Sequence, residues 1–227
     1  MPSLRRVVRP MIDRKDSNLL LLGMFFAVTL VIANVVASKV VQTGIPLFGA
    51  TITIPGAVLC YAITFLITDI VGEIWGKAEA NRIVRFGFIV QIFASIMILL
   101  TQYLPAVDGN VQDAYVTILG QNFMFALGSL TAYIISQSWD VFIFHKFKDH
   151  DGSTRRWVRN NVSTMTSQII DTVIFIGIAF GIGFGWLFDP AMLPTLGAMM
   201  VGQYFVKFLI AACDTPIFYL MTNKRNA

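Results

Sequence analysis

The chain has 227 residues, 56% of them hydrophobic and only 13% charged, with a formal net charge of +4 at pH 7 and a mean hydropathy of +0.70. A soluble domain carries about a quarter charged residues, so this composition excludes a soluble globular protein and indicates an integral membrane one. The pI near 9.2 would suit a nucleic-acid partner, but the placement of the basic residues explains it through topology, and that partner is rejected.

At about 20 apolar residues per crossing, the length accommodates about six helices, and the fold expected is an all-α membrane protein built as one compact six-helix bundle. Hydropathy places the spans at about 18–38, 52–74, 84–104, 121–146, 163–188 and 196–221. They form one transmembrane domain over about 18–222, between a basic tail at about 1–17 and a short tail at about 223–227. The first apolar run follows a basic stretch and ends near Ala33 to Ser38, which resembles a cleaved signal. At about twenty residues it is too long for a signal core, so it is kept as a span. Gly44-Ile-Pro46 and Pro55-Gly56 mark turns in the first connection, and could also break the second helix near its start. The connection around Pro105 to Asp113 is polar and acidic.

All but Lys39 and Lys207 of the 17 Lys and Arg residues fall before the first span, between the second and third, between the fourth and fifth, or after the sixth. The other connections hold Asp108, Asp113 and Asp189. This alternation places both termini in the cytoplasm by the positive-inside rule.

Three later spans repeat one short text: Asp140-Val-Phe-Ile-Phe144, Asp171-Thr-Val-Ile-Phe175 and Asp214-Thr-Pro-Ile-Phe218. The first two extend backward as Ser136-Gln137-x-x-Asp140 and Ser167-Gln168-x-x-Asp171. A carboxylate at membrane depth costs about 2.5 to 3.5 kcal/mol on insertion scales, so its repetition implies a polar pathway or binding site. Residues three apart share a helix face, so each Gln-Asp pair makes one polar patch able to donate and accept. Such a set suits a heterocycle bearing a ring N–H, an exocyclic amine and a carbonyl. Mapped through the topology, Asp69, Asp140, Asp171 and Asp214 fall in the same half of the bilayer, as the walls of one cavity would. Interhelical glue is the competing reading, and it suits the nearby Ser136, Ser163, Thr164, Thr166 and Ser167 better than the carboxylates.

Asp69 and Glu73 lie one turn apart in Thr68-Asp69-Ile-Val-Gly-Glu73, a pairing suited to cation or proton handling or, alternatively, to a helix end in water bridged to Lys77, Arg82 or Arg85. Lys207 lies mid-span, two turns before Asp214, and needs a carboxylate such as Asp171 or a wet cavity. Asn34 and Lys39 flank the far end of the first span, where they either line a mouth or finish a helix. Cys60 and Cys213 sit in apolar runs and read as small core residues. His145 and His150, with Asp149 and Asp151, read as a solvated loop rather than a metal site. No G-x-S-x-G, H-E-x-x-H or G-x-x-x-x-G-K-[ST] motif occurs, so the reading is not an enzyme, with no cofactor, no metal and no ATP hydrolysis of its own.

Asn34-x-x-Ala-Ser-Lys39, Asp69-x-x-x-Glu73-x-x-Gly76 and above all Arg159-Asn-Asn-Val-Ser-Thr-Met-Thr-Ser-Gln168-Ile-Ile-Asp171-Thr closely resemble the bacterial queuosine precursor transporter family (Vut-type), from the first span through the last. The resemblance implies a multi-pass bacterial inner-membrane importer of 7-cyano-7-deazaguanine or its 7-aminomethyl relative, feeding tRNA queuosine salvage. It also implies architectural kinship with the substrate-binding subunits of energy-coupling-factor importers. On this reading Gln137, Asp140, Gln168 and Asp171 bind the base, while Asn34, Lys39, Asp69, Glu73, Lys207 and Asp214 gate or balance charge. The alternatives are a subunit that needs an ATPase partner, a carrier of another purine-like base, and an intramembrane enzyme supported only by the clustered carboxylates. A homodimer fits a chain this small, though no heptad or small-xxx-small run requires it.

Overall fold

The computed structural model describes residues 14–47, 50–151 and 156–223. Helix α1 (Arg14–Val36) leads into a hairpin of β1 (Val40–Leu47) and β2 (Ala50–Pro55), and then into α2 (Val58–Trp75). Helix α3 (Lys77–Gln102), short α4 (Gly109–Leu119), α5 (Asn122–Asp151), α6 (Arg156–Ile176) and α7 (Leu193–Asn223) complete the chain. Among the described residues, six helical segments are long and apolar enough to cross a membrane. Within each, no more than 39% of the residues are buried, and the outward surface carries Leu59, Phe93 and Phe208, all more than half exposed. Such a surface is stable against lipid and not against water. The protein is a multi-pass membrane protein.

The observed elements depart from the sequence expectation in four places. The second span does not begin at about 52, because Thr51-Ile-Thr-Ile54 pairs antiparallel with β1, Val41 opposite Ile54 and Gln42 opposite Thr53. Alternating β-branched residues favour a pleated surface over a helix, and Pro55-Gly56 separates that strand from α2. Helix α3 starts at Lys77 rather than 84, because Gly76 turns the chain at φ 92° directly after α2. The acidic third connection contains α4, capped where the Asp108 carboxylate accepts from the Asn110 N–H at 2.9 Å. The fifth span does not run unbroken to 188: after Ile176 it widens into a π-helical segment, Gly177–Ile182, and then leaves the helix. Glycines at 177, 181, 183 and 185 weaken the α-helical register there, and Gly185 takes a positive φ of 74°.

Helices α5 and α6 make the most extensive helix contact, α1 lies against α2 and α3, and α7 lies against β2 and α2. The interior divides into two cores. One gathers Phe125, Phe175, Phe180 and Met199 around the α5–α6 contact; the other gathers Phe26, Leu30, Ile67 and Val71 between α1, α2 and α3. Close approach at the hairpin depends on Gly202 of α7. A Cβ there would stand 2.6 Å from Ile52 Cγ2 and 3.1 Å from the Thr53 carbonyl oxygen.

Candidate functional site

Between the two cores lies a cavity of about 250 Å³. Its walls come from both cores, with Phe26 and Leu30 on one side and Ala132 and Phe175 on the other. From α2 it receives Tyr61, Thr64, Phe65 and Thr68, residues spaced along one helix face. Helices α5, α6 and α7 contribute the polar side chains Ser136, Gln137, Gln168, Asp171, Gln203 and Lys207. One end is bounded by the hairpin base, where Ile54 and Pro55 come together with Tyr61, Gln203 and Lys207. At the other end the lining reaches Ala80 and Asn81, in the first turn of α3.

The centre of the site is an ion pair between helices. Lys207 Nζ of α7 donates to Asp171 Oδ2 of α6 at 2.5 Å and to Thr172 Oγ1 at 3.2 Å. The two charged side chains are only 10% and 25% exposed. At that burial each charge stabilises its partner, and removing one leaves the other stranded. Ser136 Oγ of α5 donates to Asp171 Oδ1 at 3.4 Å and to the Tyr133 carbonyl oxygen at 3.3 Å. Thr172 Oγ1 in turn donates to the Gln168 carbonyl oxygen at 2.8 Å. Two further carboxamides enter the cavity without this support: the Oε1 atoms of Gln168 and Gln203 are buried with no hydrogen-bond partner among the described residues. Around this polar centre stand flat rings, with Tyr61 edge-on to Phe175 at 6.3 Å and Phe88 tilted against Tyr133 at 5.0 Å.

The residues singled out in the sequence distribute unevenly. Gln137, Gln168, Asp171 and Lys207 meet at the cavity. The side chains of Asp140 and Asp214 lie outside the described residues, as does the His145–Asp151 cluster. Asp69 and Glu73 are exposed and are not among the cavity residues, so the expected wall of carboxylates from four helices is not what forms on α2. At about 100° per residue, Asp69 falls about a quarter turn from the centre of the stripe of Tyr61, Thr64, Phe65 and Thr68, beyond its Phe65 edge. Arg82 pairs with Glu79 of its own helix at 2.8 Å. Asn34 is buried and donates to the Leu30 carbonyl oxygen of its own helix at 3.1 Å. The side chain of Lys39 is exposed, and its carbonyl oxygen accepts from the Gly56 N–H at the hairpin base. Sequence reasoning missed Tyr61 and Gln203. The available signal was the Gln203–Lys207 spacing of one helical turn, the same spacing that made Asp69 and Glu73 conspicuous.

The family model described as "Putative vitamin uptake transporter" matches residues 55–221, most of the chain. The chain belongs to this family. A relative in Bacillus subtilis (strain 168), named "Probable queuosine precursor transporter", is 35% identical over 194 residues, covering 82% of this chain and 79% of its own. The "Queuosine precursor transporter" of Escherichia coli (strain K12) is 29% identical over 116 residues, about half of each chain. No solved structure matches. The family match covers every cavity residue from Tyr61 to Lys207 and leaves out α1, which supplies Phe26 and Leu30. With relatives named as transporters and a polar cavity inside a membrane bundle, the protein is a transporter rather than an enzyme.

Proposed function

We propose that this protein imports a queuosine precursor, 7-cyano-7-deazaguanine or its 7-aminomethyl relative, across the bacterial inner membrane for tRNA queuosine salvage. The observation that carries this reading is the convergence of Asp171, Gln168, Gln137 and Lys207 on one ring-lined cavity between two apolar cores. A guanine-like edge presents N1–H and a 2-amino group side by side, two donors suited to a carboxylate, while its O6 carbonyl needs a donor. Asp171 supplies acceptor oxygens. Lys207 has three N–H groups, of which Asp171 and Thr172 take two among the described residues, leaving one for O6. Gln137 and Gln168 orient the base by donating or accepting through their amides, and Phe26, Phe65 and Phe175 supply apolar faces for the flat ring. Asp140 is assigned to the same base edge from its place in the repeated text, one turn beyond Gln137.

The charge alternation supports cytoplasmic termini, which put the α2–α3 connection on the cytoplasmic side. The cavity lining that reaches Ala80 and Asn81 then lies toward the cytoplasm, with the hairpin on the outside. In that frame Asp69 and Glu73, outside the cavity but beside its cytoplasmic end, act on gating, as do Asp214, Asn34 and Lys39, while Lys207 balances charge. Gating residues of this kind alter transport rate and leave affinity intact. The deciding experiment is uptake of labelled 7-cyano-7-deazaguanine by proteoliposomes containing only this protein, with and without a pH gradient. Saturable uptake is the expected result, and its response to the gradient reports whether protons are carried as well. Binding without uptake would overturn the self-sufficient carrier and favour a subunit energised by a partner ATPase; neither binding nor uptake would overturn the substrate.

A further inference from the structure

Gln203 and Gln168 both bring an orphaned amide oxygen to the cavity, and Gln203 is the more deeply buried of the two. It is 5% exposed, and its Oε1 is buried without a hydrogen-bond partner among the described residues. It lies one turn before Lys207 on the same face of α7, and it borders the hairpin end of the cavity beside Tyr61, Ile54 and Pro55. A buried acceptor without a donor is costly, and a leucine or methionine would fill the same volume at no such cost. It belongs to neither Gln-x-x-Asp pair, and no described side chain uses its oxygen to join two helices.

We propose that Gln203 is a specificity-determining residue that reads the exocyclic amine of the ligand, a deepening that rests on the deazaguanine reading above. One Asp171 oxygen is engaged by Lys207 and the other is approached by Ser136. A base whose N1–H and one amine hydrogen reach the Asp171 carboxylate still has a second amine hydrogen that needs an acceptor. Lys207 links α6 to α7 through Asp171, so a flat ligand against this pair meets Asp171 from one helix and Gln203 from the other. The amine then lies toward the hairpin, with Gln203 Oε1 accepting from it. A ligand without that amine offers the oxygen no donor and forfeits the gain.

The test is equilibrium binding of two compounds to the full chain in lipid nanodiscs: 7-cyano-7-deazaguanine and the same ring lacking its 2-amino group. The wild type is expected to prefer the amino compound by about 10- to 100-fold. Gln203→Met should reduce that ratio to within about threefold by weakening the amino compound while sparing the other. Gln203→Glu, which retains the acceptor and the shape, should preserve the preference. A wild type that binds the two compounds equally overturns the assignment without recourse to any variant. So does a Gln203→Met protein that keeps the full ratio. A wild type that binds neither compound overturns the deazaguanine reading itself, and the Gln203 assignment with it.

Discussion

Two buried polar clusters cross this bundle, and they differ in one physical respect. In the first, Gln91 Nε2 of α3 donates to Ser95 Oγ at 2.9 Å, and Ser95 Oγ donates to Asn122 Oδ1 of α5 at 2.8 Å. All three side chains are at most 2% exposed, and none lines the cavity. In the second, Asp171, Lys207, Ser136, Gln168 and Gln203 surround about 250 Å³ of space. Both clusters leave amide atoms without partners among the described residues, Gln91 Oε1 and Asn122 Nδ2 in the first, Gln168 Oε1 and Gln203 Oε1 in the second. Orphaned amides alone therefore do not mark a ligand site in this protein. Amides that line a cavity beside a charge pair are what set the proposed binding centre apart from interhelical glue.

Breaking the charge pair should give the largest effect. Asp171→Asn is expected to lower uptake by more than about 100-fold, since it removes the acceptor and strands the Lys207 ammonium. Lys207→Met should do similar damage by stranding the carboxylate. The double variant Asp171→Asn/Lys207→Met separates the two consequences. Thermal unfolding should show recovery of much of the lost stability, because no unpaired charge remains, while uptake stays absent. Recovery of uptake in the double variant would show that the pair only holds α6 to α7.

The seat of the hairpin should come next. Gly202→Leu places a Cβ 2.6 Å from Ile52 Cγ2 and 3.1 Å from the Thr53 carbonyl oxygen, with backbone that cannot yield cheaply. Overpacking of this kind costs about 1–3 kcal/mol. Because Gln203 is the adjacent residue, displacement of β2 should weaken binding of 7-cyano-7-deazaguanine as well as stability, whereas a bulky change at the first polar cluster should weaken stability alone. Gly202→Leu protein with unchanged affinity would show that the hairpin does not shape the cavity.

Much of the bundle was legible in the chain, because lipid imposes long apolar helices whose hydropathy can be read directly. Less legible were features decided by short-range chemistry inside those runs. Thr51-Ile-Thr-Ile54 is apolar enough to join a hydropathic span, and only its alternation of β-branched residues betrays the strand. The glycines after Ile176 conceal a π-helical turn inside an otherwise continuous apolar stretch. At the site, the repeated text identified Asp171 and Gln168 because membrane carboxylates are rare and so conspicuous. Depth alone then grouped Asp69 with them, although angle around the helix axis is what turns it from the cavity. Gln203 carries no charge and belongs to no repeat, so its place at the cavity became visible only when α7 was seated against the hairpin.

The smallest expected effect gives the finest comparison, because it asks the same question of both clusters with the same atom removed. Ser136 and Ser95 are buried to 6% and 2% exposure, and each hydroxyl contacts a polar side chain on another helix. Interhelical hydrogen bonds of this kind in membrane bundles contribute about 0.6 kcal/mol on average, with about 1.7 as a maximum. Ser95→Ala should lower thermal stability by an amount in that range and leave the affinity for 7-cyano-7-deazaguanine unchanged, since no described cavity adjoins it. Ser136→Ala should lower stability no more than that, because its 3.4 Å contact with Asp171 is long. It should nevertheless shift affinity by a few-fold, since it frees a lone pair on the carboxylate proposed to receive the ligand. If both variants change stability and neither changes affinity, the Asp171 carboxylate serves as glue and the distinction between the clusters fails.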